Sequence, residues 1–89
     1  MSPVHIRVAP LLYSYTGGLR IVDVEATTLG EALLALDRLY PGVAFRIVDE
    51  QEKIRPHMNV FVGEENVRDL DTPLSAGAEI YIVGALSGG

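Results

Sequence analysis

The main helix of this 89-residue chain is encoded in the stretch Thr28-Leu29-Gly30-Glu31-Ala32-Leu33-Leu34-Ala35-Leu36-Asp37-Arg38-Leu39-Tyr40. Apolar side chains recur at positions 29, 33, 36 and 40, which is the spacing of one helix face. Thr28 is a favourable N-cap, and Glu31 three residues later completes the pattern of a capping box. Pro41-Gly42 ends the helix. The sequence therefore predicts an amphipathic helix whose leucine face packs on a core.

Two strands are predicted before this helix. Apolar and polar residues alternate over residues 4–9 and again over residues 19–24, which is typical of half-buried strands. Between them lies a wide loop that contains the turn signal Gly17-Gly18. We therefore expect the two strands to form a hairpin. The side chains expected to face inward are Val4, Ile6, Val8, Val22 and Val24.

The second half of the chain predicts further strands. Residues 43–48 are ambiguous and are interpreted as a helical turn followed by a bend, and residues 49–53 as an acidic surface turn. A strand over residues 58–62 is followed by a hairpin turn at 63–66 and a short return at 67–70. Residues 71–75 are predicted to form a single helical turn, and residues 79–83 the last strand. The order β-β-α-β-β predicts an α+β domain in which a small mixed sheet packs on one main helix.

The outer face of that sheet is a candidate docking surface. Alternation places Phe61, Tyr81 and Val83 on this face, with Ile80 and Ile82 pointing inward. Exposed apolar groups that lie together usually mark a protein contact. Single exposed apolar side chains need no functional explanation. The alternation alone leaves both interpretations open.

Composition limits the classes of function. A chain of 89 residues makes one domain, and its formal net charge of -5 disfavours binding to nucleic acid or to anionic membranes. The sequence has no cysteine, no membrane-spanning run and no signal peptide, so we expect a soluble cytoplasmic protein. His5 and His57 have no evident acid or serine partner in the sequence. No catalytic triad, metal site or phosphate-binding loop is therefore predicted.

The end of the chain, Gly84-Ala85-Leu86-Ser87-Gly88-Gly89, is predicted to be a thin tail. We expect a domain over residues 1–84 and a flexible tail over residues 85–89. Fully extended, the six residues from Gly84 to Gly89 reach roughly 20 Å, which would carry the terminal carboxylate down a narrow channel. Glycine and serine are also ordinary in frayed chain ends. Here, however, almost no linker separates the last strand from the tail, so we expect the fold to set the direction in which the tail leaves the domain.

These features resemble the ubiquitin-like β-grasp sulfur carriers, which include the molybdopterin synthase small subunit and the thiamine sulfur carrier. The resemblance covers nearly the whole chain. It differs at Gly84, where many family tails have proline, and at Leu86-Ser87, where some molybdopterin-type tails have Val-Ala. The matching residues are the opening strand pair, residues 28–33, residues 54–62, Thr72-Pro73-Leu74, Gly77, residues 79–82 and the final Gly88-Gly89.

The resemblance implies a chemical role for the tail. An E1-like adenylyltransferase, using ATP and magnesium, would adenylate the carboxylate of Gly89, and a persulfide or sulfide donor would convert it to a thiocarboxylate. A downstream synthase would then accept the sulfur in cofactor, cysteine or thionucleoside biosynthesis. The chain would be a cosubstrate and not an enzyme, with no intrinsic cofactor or metal. The residues expected to contact the partner are Gly88, Ser87, Leu86 at the channel mouth, and Phe61, Tyr81 and Val83 on the sheet.

Three alternatives remain open at this point. The same activated carbonyl would serve a ubiquitin-like modifier that is conjugated to lysines. The chain could also be a molybdopterin synthase small subunit in a stable heteromer. The third alternative is a β-grasp interaction module whose tail is chemically inert.

Overall fold

The computed structural model describes residues 3–8, 17 and 20–84. Within these residues the chain forms five strands and two helices, where the sequence predicts four strands and one main helix. In chain order they are β1 (Val4–Arg7), β2 (Ile21–Val24), α1 (Leu29–Leu39), α2 (Val43–Ile47), β3 (Met58–Val62), β4 (Glu65–Val67) and β5 (Glu79–Gly84). No described helix has the length and apolar character needed to cross a membrane.

Helix α1 begins with the predicted capping box. The backbone N–H of Glu31 donates to the Thr28 hydroxyl oxygen at 3.2 Å. In a usual capping box the glutamate carboxylate accepts the N–H of the N-cap residue. Here the Glu31 carboxylate accepts from the residue before the N-cap, from the N–H of Thr27 at 2.8 Å and the Thr27 hydroxyl at 2.7 Å. These hydrogen bonds lower the pKa of Glu31 below its ordinary value of 4.5, with the backbone bond from Thr27 as the largest cause.

The helical turn predicted over residues 71–75 is wrong, because Asp71 ends a turn and residues 72–74 run extended beside the start of α1. Pro73 forms an isolated bridge with Thr28. The N–H of Leu29 donates to the Thr72 carbonyl at 2.9 Å, and the N–H of Leu74 donates to the Thr27 carbonyl at 2.9 Å. The bond from Leu29 satisfies a donor that the helix start leaves free, and the two bonds together hold residues 72–74 in an extended conformation.

The five strands form one mixed sheet in the order β2-β1-β5-β3-β4. The central strands β1 and β5 are parallel, and every other neighbouring pair is antiparallel. Strand β4 begins at Glu65, which pairs with Val62 of β3. The predicted return at 67–70 therefore starts too late. A two-residue turn is possible because Gly63 adopts a positive φ of 63°.

The core lies between the sheet and α1, as the alternation predicts. Every side chain predicted to face inward from β1, β2 and β5 is buried. Helix α2 closes one end of the core with Val43 and Ile47, and Asp37 at the end of α1 accepts the N–H of Ala44 at 3.1 Å. The buried residues of α1 are Leu29, Ala32, Leu33 and Leu36. The small mixed sheet of an α+β domain is confirmed.

Candidate partner-binding face and tail attachment

One row of side chains crosses the outer face of all five strands. The strand register places Arg7 opposite both Ile21 and Tyr81, Tyr81 opposite Phe61, and Phe61 opposite Asn66. We call Ile21, Arg7, Tyr81, Phe61 and Asn66 the cross-sheet row. Its middle is aromatic, and its ends are an aliphatic side chain and an amide.

Two contacts hold the Tyr81 ring within this row. The Arg7 guanidinium carbon lies 5.5 Å from the ring centroid, within the range of a cation–π contact. The Tyr81 hydroxyl donates to the Glu79 carboxylate at 2.6 Å. That hydrogen bond is the main reason that the pKa of Tyr81 lies above its ordinary value of 10.0. The phenol therefore stays neutral at physiological pH and presents an uncharged ring.

The three docking residues predicted from the sequence share this face. Phe61 and Tyr81 are half-buried and lie directly opposite each other, whereas Val83 is 46% exposed and lies opposite Asn59. The structure thus brings the three together, and their contact with a partner stays a prediction. It adds Arg7 and Ile21, which the sequence analysis did not single out. Alternation assigns a face to each residue, but only the strand pairing assigns neighbours across the sheet.

His5 has an acidic partner, contrary to the sequence expectation. Its Nδ1 lies 2.7 Å from the Asp23 carboxylate on the outer face of β1 and β2. Both side chains are exposed, and the pair lies beside the cross-sheet row. In the part of the chain that the structure describes, no three His, Cys, Asp or Glu residues are placed to hold a metal ion.

The last strand stays in the sheet up to the predicted start of the tail. Gly84 pairs with Met58 of β3. The segment before Met58 is held by Arg68, whose guanidinium donates to the carbonyls of Met58, Ile54 and Arg55 at 3.0, 2.9 and 2.8 Å. The tail is therefore attached to an anchored strand pair. Residues 85–89, which include the predicted contact residues Leu86, Ser87, Gly88 and Gly89, lie outside the described residues.

Comparisons with known proteins agree with this architecture. The sheet and helices match those of solved proteins with the ubiquitin-like β-grasp fold. A chain in the crystal structure of the Amycolatopsis orientalis BexX/CysO complex superposes with a TM-score of 0.89 at 28% identity, covering 97% of this chain and 99% of that one. The crystal structure of SAMP1 from Haloferax volcanii matches with a TM-score of 0.81 at 27% identity, covering 99% of this chain and 100% of that one.

The sequence comparisons identify the family. Residues 10–89 match the ThiS family, and the chain belongs to that family. It is also 30% identical to the sulfur carrier protein CysO of Mycobacterium tuberculosis. The alignment spans 91 positions and covers 97% of this chain and 98% of the relative. The resemblance to the β-grasp sulfur carriers is therefore confirmed.

Proposed function

We propose that this chain is a sulfur carrier whose reactive group is the carboxylate of Gly89. The observation that carries the proposal is its homology, over nearly the full length of both chains, to a sulfur carrier protein. The match to the ThiS family extends to residue 89 and so includes the two glycines. The strand pairing supports it further, because β5 leads from the sheet directly to the tail.

The proposed chemistry has two steps. A carboxylate oxygen of Gly89 attacks the α-phosphate of ATP in an E1-like enzyme, and pyrophosphate leaves. Sulfur from a sulfide or persulfide donor then attacks the acyl carbon, and AMP leaves. With sulfide the product is the thiocarboxylate, whereas with a persulfide the acyl disulfide must first be cleaved by a thiol. The enzyme supplies magnesium and positive charge, and this chain is the substrate.

The terminal glycines suit this chemistry for steric reasons. Glycine has no Cβ, so an incoming nucleophile can approach the carbonyl carbon without meeting a side chain at residue 89. Leu86 and Ser87 would lie at the mouth of the channel, with Gly88 inside it. The thiocarboxylate would then pass its sulfur to an acceptor in cofactor, cysteine or thionucleoside biosynthesis.

The cross-sheet row and Val83 would dock on the activating enzyme. Tyrosine and arginine are frequent among the residues that dominate binding at interfaces. Here a neutral Tyr81 ring lies between Phe61 and Arg7 on the side of the sheet opposite the two described helices. A relative seen in complex with a second protein, CysO with BexX, is consistent with binding through a folded carrier domain.

A second candidate function is protein modification. It is favoured by the similarity to SAMP1, a small archaeal modifier protein, at 27% identity. The same acyl adenylate would serve both functions, because a lysine amine can attack the carbonyl in place of sulfur. The products differ: a carrier accumulates a thiocarboxylate, and a modifier accumulates adducts on the lysines of other proteins.

ATP–pyrophosphate exchange with the E1-like enzyme tests the activation step. We expect exchange with the full chain and none with a variant that lacks Gly89, because removal of one residue withdraws the carboxylate from the catalytic position. The shortened chain should unfold at the same denaturant concentration as the full chain, since the core ends at Ile82. Exchange that persists without Gly89 would contradict the proposal.

A further inference from the structure

A groove lies on the helical side of the molecule, away from the cross-sheet row. It runs between α1, α2 and residues 70–71, and its volume is about 630 Å³. Helix α1 packs on the inward face of the sheet, so this groove and the cross-sheet row lie on opposite sides of the domain. A volume of this size is within the range of known binding clefts, roughly 300–1,000 Å³.

Two exposed apolar side chains line the groove, one from each helix. Leu34 on α1 is 59% exposed and Phe45 on α2 is 58% exposed, the highest values among the large apolar residues described. The apolar lining also includes Leu33, Val48 and Leu70. The guanidinium carbon of Arg55 lies 4.7 Å from the centroid of the Phe45 ring. The Nε–H of Arg55 donates to the Phe45 carbonyl oxygen at 2.8 Å. The ring is therefore held in place, with its exposed side available for contact.

The charged residues that line the groove are all acidic. They are Asp37, Asp49, Glu52 and Asp71. Hydrogen bonding to Asp49, chiefly from the N–H of Lys53, lowers the pKa of that carboxyl below its ordinary value of 3.8, so it is ionised at neutral pH. Asp37 accepts the N–H groups of Gly42 and Ala44. The apolar lining residues thus share the groove with four acidic side chains, and the nearby cations Arg55 and Lys53 also lower the pKa of Asp49.

We propose that this groove binds a cationic amphipathic segment of a partner protein. An apolar side chain of the segment would enter between Leu34 and Phe45, while lysine or arginine side chains on either side would face the acidic side chains. Complementary charge of this kind favours encounter and selects against wrong partners. An anionic lipid surface or a nucleic acid would meet these acidic side chains with like charge.

This inference goes beyond sulfur transfer and does not depend on it. Because the groove and the cross-sheet row lie on opposite sides, a second protein can occupy the groove while the sheet face is bound. A carrier that is passed between a donor and an acceptor would have, in this groove, a second surface for binding a partner.

A peptide titration followed by amide NMR tests the groove directly. The probe is a synthetic peptide about four helical turns long, with leucine and lysine at helical spacing, and the control peptide has glutamate in place of lysine. We expect the lysine peptide to shift amides of α1, α2 and residues 69–72 and to leave β3 and β5 unchanged. The affinity should fall as salt rises.

Substitutions distinguish binding in the groove from nonspecific attraction of a cationic peptide to an acidic protein. Leu34→Gln should weaken binding about tenfold, the loss expected for one buried leucine contact. Leu39→Gln is the matched control, because Leu39 is also on α1 and is 56% exposed but does not line the groove. Asp71→Asn should weaken binding and flatten the salt dependence.

Four results would overturn the proposal: no shifts at any soluble peptide concentration, shifts spread over the sheet face, equal effects of Leu34→Gln and Leu39→Gln, or equal binding of the glutamate peptide. None of these measurements involves ATP or sulfur. Their outcome is therefore distinct from that of the activation assay.

Discussion

Phe61→Ala is the substitution that best separates docking from folding on the sheet face. Phe61 lies opposite Tyr81 on one side and Asn66 on the other, next to the centre of the cross-sheet row. Its side chain points away from the core that Val60 and Ile82 fill. The substitution therefore removes a surface ring and leaves the inner packing in place.

The cost to stability should be small. A cross-strand aromatic pair contributes about 0.2–1 kcal/mol, and a half-buried ring loses less than the 3–5 kcal/mol typical of a buried phenylalanine. We expect a loss of about 1–2 kcal/mol in the free energy of unfolding, which a domain with at least ~5 kcal/mol tolerates. Denaturation in urea, followed by circular dichroism, measures this loss.

The cost to binding should be larger. A central aromatic residue at an interface contributes about 2 kcal/mol or more, which corresponds to a loss of affinity of roughly 30-fold. Isothermal titration calorimetry with the E1-like enzyme measures the Kd. Leu39→Ala is the control, because Leu39 is exposed on α1 on the other side of the domain. Its Kd should match that of the unchanged chain.

A folded Phe61→Ala variant that bound the enzyme within twofold of the unchanged chain would refute docking through the sheet face. Equal losses for Phe61→Ala and Leu39→Ala would also refute it, because the effect would then not belong to the sheet face. In either case the activating enzyme would have to recognise another surface or the tail alone.

Three further predictions concern the fold. Leu36→Ala, at a fully buried position, should lower the free energy of unfolding by about 2–5 kcal/mol in urea denaturation, and a loss below ~1 kcal/mol would contradict the assigned core. Thr28→Ala should cost about 1 kcal/mol in the same assay, because the N–H of Glu31 loses its acceptor, and an unchanged midpoint would show that the cap is not formed. The carboxylate of Glu31 has a lowered pKa in the folded state, so its stabilisation is present above about pH 4.5 and is lost as the pH falls towards the folded-state pKa. Glu31→Gln should remove that acid-side loss from a stability–pH profile, and an identical profile would contradict the assignment.

Local sequence patterns predicted much of the fold. The alternation around Val22 and Ile80 correctly assigned the buried faces of their strands, and the spacing of Leu29, Leu33 and Leu36 correctly assigned the face of α1. Both patterns follow directly from the periods of strands and helices, so they need no knowledge of distant contacts.

Features that depend on distant contacts were missed or wrong. Residues 72–74 are extended because their partners are the main-chain groups of Thr27 and Leu29, more than forty positions earlier. Short helix α2 confirms the helical turn interpreted over residues 43–48, but its contact with Asp37 of the preceding helix was not predicted. Likewise, the contact between His5 and Asp23 requires the register of β1 and β2. None of these pairings has a signal in the local sequence.

For the candidate site, too, local patterns predicted the face of each residue, and only the strand pairing gave its neighbours. Alternation placed Phe61 and Tyr81 on the outer face, whereas their alignment with Arg7 and Ile21 required the strand order. The role of Gly88 and Gly89 rests on the sequence and on the family match to residue 89.

The intact mass of the protein isolated from its own cells under non-reducing conditions tests the proposed function most directly. The proposal predicts a fraction of the chain with one oxygen replaced by sulfur, and fragmentation should place that sulfur at Gly89. A chain that carries only oxygen at Gly89, even after incubation with its E1-like enzyme, ATP and sulfide, would contradict it.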